Sequence, residues 1–481
     1  MVHKIIIAFV ILTPLVLSSV INNNVEKCNL SYSIKKEIES YKGFATKIIN
    51  SVNNQFKHST YNHLDDFINA YGNRIAGSKN LENAIDYILK KSDLYNLENV
   101  HGEEVQVPHW VRGEESATLL YPRYKDLPML GLGSSVGTPP EGIRAKAVVV
   151  SSFDELHKLS KTVKGKIVVY NEKYRNYGDT VVYRRDGASI ASQYGAVATL
   201  IGSITPFSLA TAHTGWQQYA ENITKIPTAC ITKEDANLLH GMYKRRKPIY
   251  IEIKMEARTL TSATSRNIVA EIVGNKLPDK VVVISGHIDS WDVGEGAIDD
   301  GVGAFVSWNA LAILKALGLT ARRTIRTILW TAEEEGYIGA FAYAKAHQNE
   351  TRNLDFVMES DTGTFSPLGF TYSGLPEVGC ILQEILNLFT ELNITNVQSP
   401  IDGGPDISKW VSDGVPGAAL FGNLERYFWY HHSAADTMVA VQPDELDQAT
   451  ALWAATSFII ANLSFDMPKH LTPYQFKEND V

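Results

Sequence analysis

The sequence predicts an α/β fold, a mostly parallel mixed sheet flanked by helices, with a β-rich domain inserted into it. Two observations predict this fold. From Asn267 onward, apolar strand patterns alternate with helical patterns, which is typical of a parallel sheet with helices on both faces. Before that point, from Glu103 to about Ala257, short apolar runs broken by Gly, Pro and Lys indicate a second, β-rich domain.

The length of 481 residues exceeds what one ordinary domain needs. Three stretches between Ser33 and Leu94 carry apolar residues at helical spacing and predict a helical N-terminal region. We therefore divide the chain into four segments: a signal peptide at 1–19, an N-terminal helical part of the main domain at 20–110, the insertion at 111–257, and the rest of the main domain at 258–481.

The first residues are typical of a secretory signal peptide. Lys4 precedes an apolar run from Ile5 to Leu17, and the small residues around Ser18 suit cleavage. The run is short for a membrane span, so we expect removal and no membrane anchor. Chance explains any single glycosylation sequon, but a set of five behind a signal peptide favours a secreted or lysosomal protein. The five sequons stand at Asn29, Asn222, Asn349, Asn393 and Asn462.

Cysteine content and net charge exclude several classes of function. Three widely spaced cysteines, Cys28, Cys230 and Cys380, cannot form a disulfide framework or a cysteine zinc site. Either one bridge that involves Cys28 or a free buried thiol is expected. The formal net charge of -8 gives no basic surface for nucleic acid.

Two glycine-rich motifs are rejected as sites. The segment 133–137 matches the Gly-x-Ser-x-Gly pattern of serine hydrolases, but Pro139 and Pro140 follow it where a helix would be required. Gly131 and Gly133 form only a fragment of a dinucleotide-binding fingerprint, without the flanking strand and helix. A nucleotide cofactor is therefore unsupported.

Acidic residues and histidines follow successive predicted strands of the main domain. In an α/β sheet the carboxyl ends of parallel strands meet at one edge, so these side chains should lie together. Unpaired anions would repel there unless cations were bound, and a mixed histidine and carboxylate set with more than four members favours a two-metal zinc centre. The residues are His287, Asp289, Asp299, Asp300, Glu333, Glu334, Glu335, Asp361, His431 and His432.

Taken alone, each of these residues could have a purely structural role instead of binding a metal ion. Asp299 could cap the following helix, and His287 could be an ordinary hydrogen-bonded histidine. Glu333 and Glu334 could belong to a solvated charge run. The metal site is preferred because all of them follow predicted strands or precede the next helix, in chain order, within one domain.

Five motifs resemble those of a zinc-dependent exopeptidase family, which includes single-domain bacterial leucyl aminopeptidases and glutamate carboxypeptidase II. The motifs lie at 286–294, 297–301, 330–334, 358–361 and 427–433. The resemblance covers nearly the whole mature chain and implies the zinc exopeptidase fold. The insertion is similar to a protease-associated domain, which commonly sits at this place in the family.

The resemblance also implies a role for each site residue. His287 and Asp361 would bind one zinc ion, Glu334 and His432 the other, and Asp299 would bridge both. His432 is preferred over His431 because the ligand histidine of the family directly precedes Ser or Thr. The resemblance further implies that Glu333 is the general base and that Asp289 accepts a hydrogen bond from the His287 imidazole. It also implies that the Asp299–Asp300 peptide is cis.

The function implied is a carboxypeptidase or dipeptidase acting on dipeptides and short peptides, as a homodimer. Three alternatives stay open: an aminopeptidase of the same family, a glutaminyl cyclase-like acyltransferase with one zinc and no insertion, and a receptor-type binding protein that has lost the metals. The sequence does not decide which terminus of the substrate is recognised. The loop from Gly403 to Asp406, together with Ser408 and Tyr427–Tyr430, could line the substrate pocket.

Overall fold

The N-terminal part of the chain is helical and ends in one long strand. The structure, a computed structural model, describes residues 28–390 and 392–470, so the predicted signal peptide lies outside the described residues. Ser31 and Ser78 cap the first and fourth helices by accepting backbone N–H groups three residues on. The elements are α1 (Tyr32–Ser40), α2 (Lys42–Asn53), α3 (Ser59–Tyr71), α4 (Lys79–Leu94) and β1 (Glu98–Val107).

The next segment forms a sheet of its own. Its elements are β2 (Trp110–Val111), β3 (Glu115–Tyr121), β4 (Lys125–Leu127), β5 (Met129–Gly131), β6 (Ile143–Val150), α5 (Phe153–Lys158), β7 (Ile167–Tyr170), α6 (Tyr177–Gln193), β8 (Ala198–Gly202), β9 (Thr228–Ile231), α7 (Lys233–Lys244), β10 (Tyr250–Met255) and β11 (Arg258–Thr259). Eight of these strands pair in the order β4-β3-β10-β6-β7-β8-β9-β5.

The remaining elements return to the first sheet. They are β12 (Ala263–Ile272), β13 (Leu277–His287), α8 (Val302–Ala316), β14 (Arg323–Trp330), α9 (Ile338–Ala346), β15 (Leu354–Glu359), β16 (Gly369–Ser373), α10 (Pro376–Leu386), β17 (Asn396–Gln398), α11 (Ser408–Ser412), β18 (Gly417–Phe421), α12 (Leu424–Tyr430) and α13 (Pro443–Asn462). The first sheet has eight strands in the order β1-β12-β14-β13-β15-β18-β16-β17.

The centre of the first sheet is parallel, and its margins are mixed. Strand β13 runs parallel to both β14 and β15, and β15 runs parallel to β18. The pairs β1–β12, β12–β14 and β16–β18 are antiparallel. The mixed α/β sheet flanked by helices is therefore confirmed, and the parallel part lies where the predicted site residues stand.

Alternation along β13 explains why helices cover both faces of the sheet. Val282 and Ile284 point into one core with α8 and α13, whereas Val281 and Val283 point into another core with Trp330 and Trp410. Helix α8 and the turn before it are apolar and long enough to cross a membrane, but the candidate span is completely buried inside the protein.

Two details differ from the sequence-based expectations. Strand β1 belongs to the N-terminal part that we predicted as helical, and it pairs with β12 at the margin of the main sheet. The insertion carries the helices α5, α6 and α7 among its strands, so its description as β-rich was incomplete. Small residues such as Gly187, Ala188 and Ala191 make the apolar face of α6 a weak helical signal.

The cysteines resolve into one bridge and one thiol. Cys28 is bonded to Cys380, which ties the chain before α1 to helix α10. Cys230 is a free, buried thiol in β9, and burial raises its pKa to about 12.

Candidate metal centre

The parallel strands bring the predicted residues to one edge of the main sheet. His287 is the last residue of β13 and lies in register with Trp330, the last residue of β14. Ser285 of β13 lies in register with Glu359, the last residue of β15. Loops that leave these strand ends therefore start side by side, as expected for a site at the carboxyl ends of parallel strands.

His287 stands at the centre of the first half of the site. Its Nε2 lies 3.2 Å from Oδ1 of Asp299 and 3.3 Å from Oδ1 of Asp361. Oε2 of Glu333 is 3.9 Å from the same nitrogen. One donor atom each from His287, Asp299 and Asp361 lies within 4.8 Å of the other two, so the three could hold one metal ion.

The second half of the site is built around His432. Its Nε2 lies 2.9 Å from Oε2 of Glu334 and 3.3 Å from Oδ2 of Asp299. The neighbouring His431 stacks on the His432 ring and places its Nε2 3.7 Å from the same Asp299 oxygen. All five predicted ligands thus come together, and His432, with two carboxylates in reach, is better placed than His431.

Asp299 connects the two halves because each of its oxygens faces a different imidazole. Oδ1 faces His287, and Oδ2 faces His432. Asp299 and its partners are buried, and Oδ2 of Asp299, Oε1 of Glu334 and Oδ1 of Asp361 have no hydrogen-bond donor. Buried carboxylate oxygens without partners are costly, and bound cations remove that cost. The donor set therefore fits divalent metal ions that accept nitrogen and oxygen ligands.

The electrostatics of the site reflect this crowding of charge. Burial raises the pKa of Glu333 and of Glu334 well above their usual range, and neighbouring carboxylates raise it further. Burial alone would lower the pKa of His287, but the carboxylates of Asp361 and Glu333 outweigh it and raise that pKa well above its usual value. The site without cations thus retains protons that metal ions would displace.

Asp289 joins the loop after β13 to the loop after β14. Its carboxylate accepts the backbone N–H of Glu333 at 3.1 Å and that of Glu334 at 3.3 Å. Nδ1 of His287 is closer to the backbone carbonyl of Asp289, at 3.1 Å, than to its carboxylate, at 3.6 Å. The predicted contact with the imidazole is therefore made mainly by the backbone, and the carboxylate holds the neighbouring loop.

The Asp299–Asp300 peptide is cis, as the family resemblance implies. The Asp300 carboxylate accepts the backbone N–H of His287 and that of Gly303, each at 3.0 Å. Residue 303 must be glycine because an added Cβ would lie 1.8 Å from the backbone oxygen of Ser360. These contacts attach the start of α8 to the end of β13.

Sequence reasoning missed two residues that hold the loop between His287 and Asp299. Arg74 is completely buried and donates four hydrogen bonds to backbone carbonyls, of which three belong to Ile288, Glu295 and Gly296. Asp436 accepts the backbone N–H groups of Ile298 and Asp299. Asp436 follows the motif at 427–433 by three residues and could have been noticed there, whereas Arg74 carries no signal beyond a polar break between two helices.

Several residues suggested for the substrate pocket are buried beside the acidic residues of the site. Asp406 is fully buried, and the negative charges of Glu359 and Glu333 help burial to raise its pKa well above the usual range. A Cβ on Gly404 would meet the side chain of Glu359 at 3.0 Å. The loop from Gly403 to Asp406 therefore packs beside the acidic residues of the site. Tyr427 is also buried near these acids, and burial raises its pKa well above its usual value.

The sequons also differ in accessibility. Asn29, Asn222, Asn349 and Asn393 are exposed. Asn462 is only partly exposed, and its side-chain nitrogen donates to the Phe458 backbone oxygen at 2.8 Å. Four of the five predicted acceptor side chains are thus free on the surface, and the fifth is held at the end of α13.

A mixed α/β sheet that gathers buried histidines and carboxylates at its carboxyl edge defines a metal-dependent hydrolase class. Residues 267–457 match Peptidase family M28. A solved peptidase M28 precursor from Shewanella amazonensis is 30% identical, with a TM-score of 0.86 that covers 91% of this chain and 100% of that chain. The chain belongs to peptidase family M28, and it is a metallo-exopeptidase.

Two further comparisons refine this placement. The chain is 49% identical over 449 residues to carboxypeptidase Q of Xenopus laevis, which covers 93% of this chain and 96% of that protein. A zinc aminopeptidase from Bacillus subtilis shares the fold with a TM-score of 0.64 at 19% identity, which covers 87% of this chain and 99% of that chain. The similarity to carboxypeptidase Q therefore extends over most of the chain.

Proposed function

We propose that this chain is a secreted or lysosomal di-zinc carboxypeptidase or dipeptidase that hydrolyses dipeptides and short peptides. The observation that carries the proposal is the position of Asp299, whose two oxygens face the imidazoles of His287 and His432. One carboxylate between two separate histidine and carboxylate groups is the arrangement that a bridged pair of metal ions needs.

Zinc is favoured by the ligand types. Three carboxylates and two imidazoles surround the site, and the free cysteine lies elsewhere, in β9. Zinc accepts this mixture of nitrogen and oxygen ligands. The name of the Bacillus subtilis relative, a zinc aminopeptidase, agrees with that choice. His287 and Asp361 would hold one ion, Glu334 and His432 the other, and Asp299 both.

The proposed chemistry divides between the metals and the protein. Bound zinc ions lower the pKa of water and polarise a carbonyl group. Glu333 supplies the proton transfer: its carboxylate accepts a proton from the attacking water and returns it to the departing amino group. Burial raises the pKa of Glu333 above its usual range, which favours proton uptake by its carboxylate. Asp289 keeps Glu333 in place through the backbone N–H that its carboxylate accepts.

The alternatives are weighed by observations on this chain. A metal-free receptor is disfavoured because all five predicted ligands converge with unpartnered oxygens. An acyltransferase that lacks the insertion is disfavoured because a complete second sheet is present. An aminopeptidase on the same site is the remaining competitor, and the carboxypeptidase name of the Xenopus relative favours the carboxyl terminus.

The proposal also covers the cellular location, the type of the inserted domain and the oligomeric state. Four exposed sequons and the Cys28–Cys380 bridge suit an oxidising secretory compartment. We assign the second sheet to a protease-associated domain on the sequence similarity described above. A homodimer remains a prediction from family resemblance.

Substrates with one blocked terminus test the specificity directly. We would assay a panel of unblocked dipeptides, their N-acetyl derivatives and their C-terminal amides with the full chain, before and after metal chelation. A dipeptidase or carboxypeptidase should lose activity on the amide, and chelation should abolish all activity. Full activity on the amide with none on the acetylated peptide would instead establish an aminopeptidase. Activity that survives complete chelation would contradict a metal-dependent mechanism.

A further inference from the structure

The second sheet reaches the metal centre through one of its loops. This loop, residues 203–218, is the first part of the connection between β8 and β9, and it pairs with the segment that carries His431 and His432. The Thr214 N–H donates to the His432 backbone oxygen at 2.7 Å, and His213 forms a bridge with Ser433. Nδ1 of His213 lies 2.7 Å from the His431 backbone oxygen. The insertion thus fixes the backbone on which His432 stands.

The same loop also contacts the far side of the His432 ring. Nε2 of His432 faces the site carboxylates, and Nδ1 lies 3.2 Å from the Thr214 carbonyl oxygen. Nη1 of Arg184 is also 3.2 Å from Nδ1. When Nε2 binds a metal ion, Nδ1 carries the hydrogen and donates it to the Thr214 carbonyl. Arg184 then makes no hydrogen bond to Nδ1, because both nitrogens are donors; the two share the Thr214 oxygen as their acceptor.

Arg184 supports that carbonyl from helix α6. Its Nη1 donates to the Thr214 oxygen at 3.2 Å, and its Nη2 donates to the Tyr177 hydroxyl at 2.8 Å. The Arg184 side chain is 6% exposed and makes no ion pair with an acid of the described chain. A buried guanidinium is costly without a carboxylate. This one is placed where its hydrogen bonds serve the surroundings of His432.

Neighbouring residues keep the guanidinium in this position. A Cβ on Gly215, whose φ is +137°, would lie 2.3 Å from Cζ of Arg184, so the backbone can pass the guanidinium only with glycine there. The Tyr177 ring stacks on Phe428 and meets the edge of His431. The whole group therefore joins α6 of the insertion to the segment that carries the ligand histidine.

We propose that Arg184 is a positioning residue for His432: it holds the Thr214 carbonyl against Nδ1 and so fixes the ring with Nε2 directed at the metal. This inference rests on the proposed function, in which His432 binds a metal ion. Through Arg184 and Thr214, the inserted domain would help to form the catalytic centre. Loss of such a supporting contact typically weakens metal affinity by about 10- to 100-fold.

The test compares Arg184→Met and Arg184→Lys with Arg185→Met in the full chain. Arg185 is the matched control because it is the next residue of α6, is exposed, and pairs with Asp186. Each protein is stripped with a chelator and titrated with zinc, and its thermal midpoint is measured with and without metal. We expect Arg184→Met to bind one of two zinc ions about 10- to 100-fold more weakly. Arg184→Lys should recover part of that loss, and Arg185→Met should match the wild type.

Tyr177→Phe gives a second variant because it removes the hydroxyl that accepts from Nη2 of Arg184 and leaves the backbone beside Thr214 unchanged. It should weaken the same zinc ion, and this result supports the proposal even if Arg184→Met does not fold. Wild-type affinity for both zinc ions in Arg184→Met, or in Tyr177→Phe if Arg184→Met does not fold, would overturn the positioning role and leave the proposed function intact. An equal fall in thermal midpoint with and without metal would show a purely structural role. A wild-type chain that binds no zinc would overturn both proposals.

Discussion

The carboxylate of Asp289 accepts the backbone N–H of Glu333 at 3.1 Å, across 44 residues of sequence. The loop after β13, which carries a predicted ligand, therefore holds the loop after β14, which carries the predicted base. Asp289 is buried, and a second, buried bond from the Glu334 N–H at 3.3 Å strengthens the contact. Asp289 thus connects metal binding to the position of the proton acceptor.

Replacing Asp289 by asparagine should lower kcat by about 10- to 100-fold. One side-chain oxygen would be exchanged for an amide donor, so one of the two backbone N–H groups would lose its acceptor. Steady-state kinetics measure the change. Asp279→Asn, at the exposed opposite end of β13, is the control and should behave like the wild type. An unchanged kcat in Asp289→Asn would show that the carboxylate does not control Glu333.

Replacing Glu333 by glutamine should remove about a hundred- to ten-thousand-fold of the turnover, the usual contribution of a positioned proton transfer. The bound metal should remain, because Glu333 lies 3.9 Å from the His287 nitrogen and is not one of the five predicted ligands. Turnover and metal content are measured on the same preparation. Exposed Glu350 provides the control Glu350→Gln. Near-normal turnover with metal retained would assign the base elsewhere.

Stability should fall in acid partly because of His213. Burial lowers the pKa of this histidine to about 4, whereas the unfolded chain has the ordinary value of 6.5. Between these values the unfolded state binds the proton and the folded state does not. The contribution is therefore complete above pH 6.5 and is lost as the pH falls toward 4.

The prediction for His213 is measured by urea unfolding from pH 4 to 8. His213→Gln should lessen the pH dependence between about 4 and 6.5 by at most about 1.4 kcal/mol per pH unit. His157→Gln, at an exposed histidine of α5, should keep the wild-type profile. Identical profiles for wild type and His213→Gln would mean that the pKa of His213 does not change on folding.

Replacing Arg74 by methionine should lower the free energy of unfolding by about 3–5 kcal/mol, because two buried and two partly buried carbonyls lose their donor. Denaturant unfolding measures the loss. Lys79→Met, at an exposed position at the start of α4, is the control and should have little effect. A stability close to that of the wild type would show that water replaces the guanidinium without cost.

The sequence predicts those site residues that stand at or after the end of an apolar strand. His287, Glu334 and Asp361 each follow an apolar strand, and parallel pairing alone brings strand ends together. The mixed sheet follows from the same alternation of strands and helices. Family resemblance then separated His432 from His431, and the structure gives His432 the closer carboxylates.

The supporting residues could not be predicted in this way. Arg74 donates to the backbone carbonyl of Gly296, 222 residues further along the chain, and Arg184 donates to that of Thr214, 30 residues further along. Contacts between such distant residues leave no periodic pattern in the sequence. Strand β1 was missed because its alternation of exposed and buried positions breaks at Gly102 and Glu103, and its register with β12 shifts between Glu98 and His101. Helix α6 was missed because its apolar face is built from small residues.

The central claim is that two ions share Asp299, one beside His287 and one beside His432. Anomalous diffraction at the zinc absorption edge, from crystals of the active full chain, locates such ions directly. The account predicts two peaks, each about 2.0–2.2 Å from an oxygen of Asp299, with Asp361 at one and Glu334 at the other. A single peak, or peaks away from Asp299 in protein that hydrolyses dipeptides, would contradict it.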